Sequence, residues 1–437
     1  MTSSPGAKTC TTTGALTCAV TGLTAATTYT FTVRATNAIG QGPASAASAA
    51  VVPWDGSGYH AVTPERILDS RLVPTKGFAG PVTSVSTRSL LVTGLGGPSN
   101  VPASATAVVM NVTVADATNE SFLTVYPTGT TKPNASNLNF GAGRIIPNLV
   151  TVKIGSGGKV EFANAVGSTQ VIADVVGYYD DGTGPGDRFT GITPVRLLDS
   201  RSSTGGWVGA LPAGAPRDLV VRPPGNGPGV PVTATAVVAN VTVTGGSAQS
   251  FVSVWPSGVN QPGVSNLNLL PGQTIPNLVT VKIGGNGAIR IANAVGTVHV
   301  IVDVVGYFDP TTGSRFHAIN PTRVLDTRVN KGLTGPQGAG QTRALAVAGA
   351  TATNVPVGAT GLVANVTVAD GTLESFVSVF PGNVARPNPF SNLNFGTGQV
   401  IPNLAVVGIA PNGSVNFYNH LGTTALIADA VGYYAPT

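Results

Sequence analysis

Charge is what this chain has least of. Only 23 of its 437 residues are Lys or Arg and 18 are Asp or Glu, 9% in all, against about 25% in an ordinary soluble domain. The net charge of +5 comes from basic residues scattered singly, so no phosphate-tracking stripe forms and a nucleic-acid partner is not expected. Histidine is scarce: His60, His299, His317 and His420 are the four. There is no Gly-x-Ser-x-Gly and no His-Glu-x-x-His, the patterns that pair a nucleophile with a base or hold a catalytic zinc. No apolar run reaches the roughly 18 residues of a membrane span. No long Leu/Glu/Lys segment with helical period exists, which argues against helices. Residues Met1–Gly6 lack the basic and apolar parts of a signal peptide. That points to a trimmed or fragmentary N-terminus. Only two cysteines occur, Cys10 and Cys18, flanking a Thr/Gly-rich stretch that reads as a hairpin turn. A disulfide across neighbouring strands fits the spacing and would imply an oxidising, extracellular setting. Two unpaired thiols are the alternative.

What the chain has in excess is glycine (57) and proline (33), together with Val, Thr, Ala and Asn. This composition suits short strands joined by tight turns. It is also repetitive. Arg66-Ile67-Leu68-Asp69-Ser70-Arg71 recurs as Arg196–Arg201 and Arg323–Arg328. Asp174-Val175-Val176-Gly177-Tyr178 recurs from Asp303 and from Asp429. Between them recur Asn-Val-Thr-Val, Ser-Asn-Leu-Asn and Ile-Pro-Asn-Leu. The repeat of roughly 125 residues is domain-sized, so each copy can bury a core of its own. The boundaries read as 59–180, 188–309 and 315–437, with linkers of about six to eight residues that favour an extended string of beads. In the first copy, strands are expected at 66–69, 88–92, 107–114, 122–126, 138–140, 149–154, 159–163 and 171–179. Eight strands without a helix predict antiparallel pairing in a β-sandwich, jelly-roll-like, so the fold class is all-β with tandem sandwiches.

Residues 1–53 differ. Tyr29–Ala35 alternates as a half-buried strand does. Leu23 precedes Tyr29 by six residues, and Ile39–Ser45 reads as a turn before a last strand. These features resemble the tyrosine corner and final strands of a fibronectin type III domain. The resemblance covers only the C-terminal half of such a domain. It leaves the side bearing Leu23, Phe31 and Val33 facing water and a strand edge open to another chain. The missing strands would then come from the parent chain or from a neighbouring molecule, the latter giving a filament. The three-copy fingerprint, over about 375 residues, resembles a repeat of secreted and cell-surface proteins of high-GC Gram-positive (actinobacterial) bacteria, often found beside fibronectin type III domains. That resemblance implies an extracellular or cell-surface location and no established chemistry.

Several polar residues recur at matching positions: Asn111, Asn240 and Asn365 within an apolar strand; Asn164, Asn293 and Asn419 just after the penultimate strand; Asp174, Asp303 and Asp429 inside the most hydrophobic strand. A carboxylate buried there needs a partner. The forked guanidinium groups of the opening motif are suited to it. The expected structural clamps are Arg66, Asp69, Arg71 and Asp174; Arg196, Asp199, Arg201 and Asp303; and Arg323, Asp326, Arg328 and Asp429. A ligand or metal site built from the same groups is the alternative. Calcium is the metal to weigh, but it wants six to eight oxygens. Asp116 and Asp370 match across copies one and three where copy two has Gly245. No cofactor is expected. Asp69 and Asp174 could be paired as a glycosidase's two carboxylates, but the adjacent arginines account for them better. Tyr126, Trp255 and Phe380 share one position before proline and are candidate glycan contacts, with core packing as the alternative. The overall expectation is a non-catalytic structural or adhesive module, self-assembling or binding a surface polymer. A carbohydrate-binding array and an accessory region of a secreted enzyme are the other readings.

Overall fold

The computed structural model describes residues 1–436 except 25–26, 54, 73–75, 98–99 and 223–228. Ala25, Ala26, Trp54 and Thr437, which fall in segments considered above, lie outside the described residues. Strands dominate; among the described residues the helical segments are two single 3-10 turns, Ser156–Gly158 and Thr327–Val329. The chain divides into two compact units, residues 1–56 and 57–437.

In the first unit, Thr2–Ser4 pairs antiparallel with Thr30–Thr32. Backbone bonds from Ser45, Ser48 and Val51 reach Val33, Phe31 and Tyr29 on the other edge. Tyr29 is buried, and its hydroxyl accepts from Thr24 N at 3.0 Å. Val33 is 48% exposed and Ile39 96%. Among the described residues Tyr29 is the one buried apolar side chain here. Cys10 and Cys18 are disulfide-bonded. The bond closes a loop without strands, not the hairpin expected.

In the second unit each copy builds two four-stranded antiparallel sheets, with one further two-residue strand in copies one and two. In copy one the inner sheet runs in the order Ile146–Lys153, Ala107–Ala115, Ser168–Tyr179, Tyr59–Asp69. The outer sheet runs Leu138–Phe140, Ser121–Pro127, Lys159–Asn164, Thr87–Leu91. The two faces enclose one apolar cluster, with Val108, Met110, Val112 and Val114 from one sheet and Leu123, Val125, Val160 and Phe162 from the other. Copies two and three have equivalent clusters.

The three copies do not form a plain tandem row. A fourth cluster draws on all of them: Ala107, Val109 and Val176; Ala236, Val238 and Val305; Val363, Leu404 and Val431. The string of beads expected from the short linkers is therefore replaced by three sandwiches closed around a common core. The physical reason lies in the inner strand. Every residue of Ala107–Ala115 is buried, as in strands covered on both faces. A lone sandwich would leave Ala107, Val109 and their neighbours in water. The three entry segments also pair with one another through bridges Ser57–Phe316, Tyr59–Asp187 and Phe189–Ser314. The end of one copy thus lies beside the start of the next, and a short linker suffices.

Candidate functional site

The repeated arginines and aspartates come together in each copy. Arg66 reaches across from the first strand to the last, with Nε 2.8 Å and Nη2 3.2 Å from the two carboxylate oxygens of Asp174. Its Nη1 lies 3.6 Å from Asp69, which Arg71 grips bidentately at 2.9 and 2.7 Å. Copy two repeats this with Arg196 on Asp303 at 2.8 and 2.9 Å and Arg201 on Asp199. Copy three has Arg323 on Asp429 at 2.7 and 3.1 Å and Arg328 on Asp326. Arg323 further donates to Asn134 O of copy one at 2.9 Å. Burial pushes the Asp174 carboxyl up to about 6 against the pull of Arg66, and burial raises Asp303 and Asp429 too. The hydrogen bonds from Arg71 and Arg201 hold Asp69 and Asp199 below the ordinary carboxylate range, and Arg328 holds Asp326 at about 2.

The recurring asparagines close a ring that the sequence did not reveal. Asn111 donates to Ser265 O, Asn240 to Ser391 O and Asn365 to Ser136 O, each at 2.5–2.7 Å. In the opposite sense, the Ile-Pro-Asn-Leu asparagines Asn277, Asn403 and Asn148 donate to Asn111, Asn240 and Asn365, all at 3.0 Å. Their own oxygens accept from Leu149 N, Leu278 N and Leu404 N of the neighbouring copy. Every link joins one copy to another, in a cycle of three. Buried amides left without partners would cost free energy. Here both ends of each are used. Asn164, Asn293 and Asn419 instead hold their own loops, accepting from Ser121, Ser250 and Ser375 and donating to carbonyls two and three residues on.

Six aromatic rings meet where the copies join. Tyr59 stacks on Phe308, Phe189 on Tyr434 and Phe316 on Tyr179, at 4.1–4.3 Å, each pair spanning two copies. The motif glycines make room: a Cβ on Gly177, Gly306 or Gly432 would lie 2.1–2.5 Å from the ring of Tyr59, Phe189 or Phe316. The clue was an aromatic residue at one fixed offset before Asp69, Asp199 and Asp326.

The other candidates fall differently. Tyr126, Trp255 and Phe380 are 6%, 1% and 0% exposed, so of the two readings weighed for them the structure shows core packing, and none of the three rings offers a face to a sugar. Asp116, Gly245 and Asp370 share a left-handed backbone with φ of 52°, 62° and 54°. Glycine and aspartate recur there because they tolerate that turn, which accounts for the pattern without calcium. Among the described residues no group of three or more His, Cys, Asp or Glu could hold a metal ion. His60 bonds Asp180 at 3.0 Å and stacks on Tyr178, and His299 meets Ser200 at 3.1 Å.

Neither a protein-family model nor a curated protein matches the chain. Among solved structures it is weakly similar to a chain of the Sulfolobus Turreted Icosahedral Virus, at 9% identity over 87% of this chain and 92% of that one, with a TM-score of 0.16. A second likeness, at 8% identity over 86% and 91% with a TM-score of 0.17, is to a chain from an archaeal virus described by a triple jelly roll fold and turret assembly. At these scores neither likeness carries an argument. Among the described residues no helix is long and apolar enough to cross a membrane.

Proposed function

We propose that this chain is a non-catalytic structural or adhesive module of a secreted or cell-surface bacterial protein. In this reading three jelly-roll-like sandwiches are fused around a shared core and follow, in the sequence, a partial fibronectin type III-like unit. The observation that carries it is the fate of the shared polar groups. Three Arg–Asp clamps and a cyclic asparagine ring take up the polar motif residues inside the fold. A site that did chemistry would keep such groups turned toward a substrate. The Cys10–Cys18 bond favours an oxidising compartment.

The test is fractionation of the producing cells with thiol labelling, followed by assay of the purified chain on ester, glycoside and peptide substrates. The expected outcome is protein in the envelope or medium, with both cysteines blocked to alkylation and no turnover. Recovery in the cytosol with free thiols, or turnover abolished by Asp174→Asn, would refute the reading.

A further inference from the structure

Two clefts open between the copies, the larger where their Ile-Pro motifs converge. The larger, about 640 Å³, is lined by residues of all three copies, including Ile146, Ile275 and Ile401. The smaller, about 480 Å³, lies between copies one and two and carries Phe251 and Arg144. Threefold repetition would make such clefts alike, and at the scaffold positions it does. The larger one departs from the smaller at several places, Glu374 for Gln249, Phe395 for Leu269 and Gln273 for Arg144 among them, and one of the differences adds a ring. Phe376 corresponds to Phe122 and Phe251, but beside it stands His420 where the other copies have Ala165 and Ala294.

His420 lies flat on Phe376, with ring centroids 4.6 Å apart and planes 21° apart. Its Nδ1 is 3.3 Å from the Tyr418 hydroxyl, which fixes the imidazole. Arg386 lies over the other aromatic neighbour, Tyr418, at 4.3 Å. Phe376 is half-buried and His420 exposed, so the pair offers a ring surface to the cleft. Asn268, Asn394 and Glu374 line the same space. Asn268 and Asn394 each spend one N–H on a long 3.4 Å contact with a serine of their own copy. Their amide oxygens remain for a ligand. No Lys or Arg is among the lining residues, which disfavours phosphate and nucleic acid.

We propose that this cleft binds a neutral oligosaccharide. The Phe376–His420 pair takes the apolar face of a pyranose, and Asn268, Asn394 and Glu374 take its hydroxyls. Flat rings beside a few convergent polar groups form the general composition of a small-ligand site. The inference deepens the adhesive part of the reading above and rests on it.

The test is calorimetric titration of the full chain with neutral tri- to hexasaccharides of glucose, N-acetylglucosamine, mannose and galactose, up to about 10 mM. At least one should bind. His420→Ala gives copy three the residue the other copies already tolerate, so it should fold; it should weaken binding about tenfold. Phe376→Ala should do the same, and Phe251→Ala should leave affinity unchanged. Ala294→His should create a second, weaker site over Phe251. No titration by any sugar, or binding that survives the Phe376→Ala/His420→Ala double variant, would overturn the site while leaving the scaffold reading intact. Hydrolysis of a bound sugar would instead overturn the non-catalytic reading.

Discussion

Arg196 and Arg66 occupy the same place in two copies but differ in how far water reaches them. The side chain of Arg196 is 13% exposed and that of Arg66 30%. Removing the carboxylate partner strands the first more completely. Asp303→Ala should therefore cost about 3–5 kcal/mol, and Asp174→Ala less, as measured by denaturant unfolding. Equal costs would mean that the stranded guanidinium is not what sets the penalty. The clamp carboxylates also give stability a pH signature. Asp174, raised to about 6 from 3.8 by burial, contributes stability that is present below pH 4 and lost as pH rises through 6. Asp326, lowered to about 2 by Arg328, contributes stability present above 3.8 and lost as pH falls through 2. Melting temperature should rise as pH is lowered from 7 toward 4 and fall below about 3. Asp174→Asn should flatten the first limb, Asp303 and Asp429 keeping part of it, and leave the second.

At the scale of strands and turns, the motif glycines act by absence. Gly306 faces the ring of Phe189, so Gly306→Ala should overpack the junction and cost about 1–3 kcal/mol. Gly245→Asp, which installs the residue of the other two copies at a φ of 62°, should be nearly neutral, and thermal melting of the two variants separates them. Much of this level was readable in advance. The eight strands expected in copy one all exist, because alternation and turn residues are local signals. The first begins earlier than expected, at Tyr59 and not Arg66, because Pro64 is accommodated on a sheet edge. Val82–Thr83 was missed because two residues carry no periodicity. The clamp partners could be named because a buried carboxylate demands a cation. The asparagine ring could not, since an amide finds a partner in any backbone. The nine-residue run Ala107–Ala115 did hold the clue to assembly: apolar without alternation, it needs cover on both faces. The groove-lining pair was invisible because Phe376 and His420 are 44 residues apart and meet only through strand pairing.

For the molecule as a whole, residues 57–437 should scatter as one compact body with a radius of gyration of about 21 Å. They should also unfold in a single cooperative step. Three separated transitions, or a much larger radius, would contradict the shared core. A protease cut within 180–187 should leave the pieces associated through gel filtration under native conditions, because the entry bridges and the asparagine cycle cross every junction. Those bridges have a further consequence. Each copy meets its neighbours through the same two surfaces in head-to-tail order, the geometry of a cyclic homotrimer, yet here the peptide chain supplies the proximity and assembly no longer depends on concentration. In a homotrimer every substitution appears three times and must suit all three places at once. Written into one reading frame, each wedge can change alone. Phe308 where the other copies have tyrosine and His420 where they have alanine are substitutions of that kind: an asymmetric ligand can be served by a scaffold that stays symmetric.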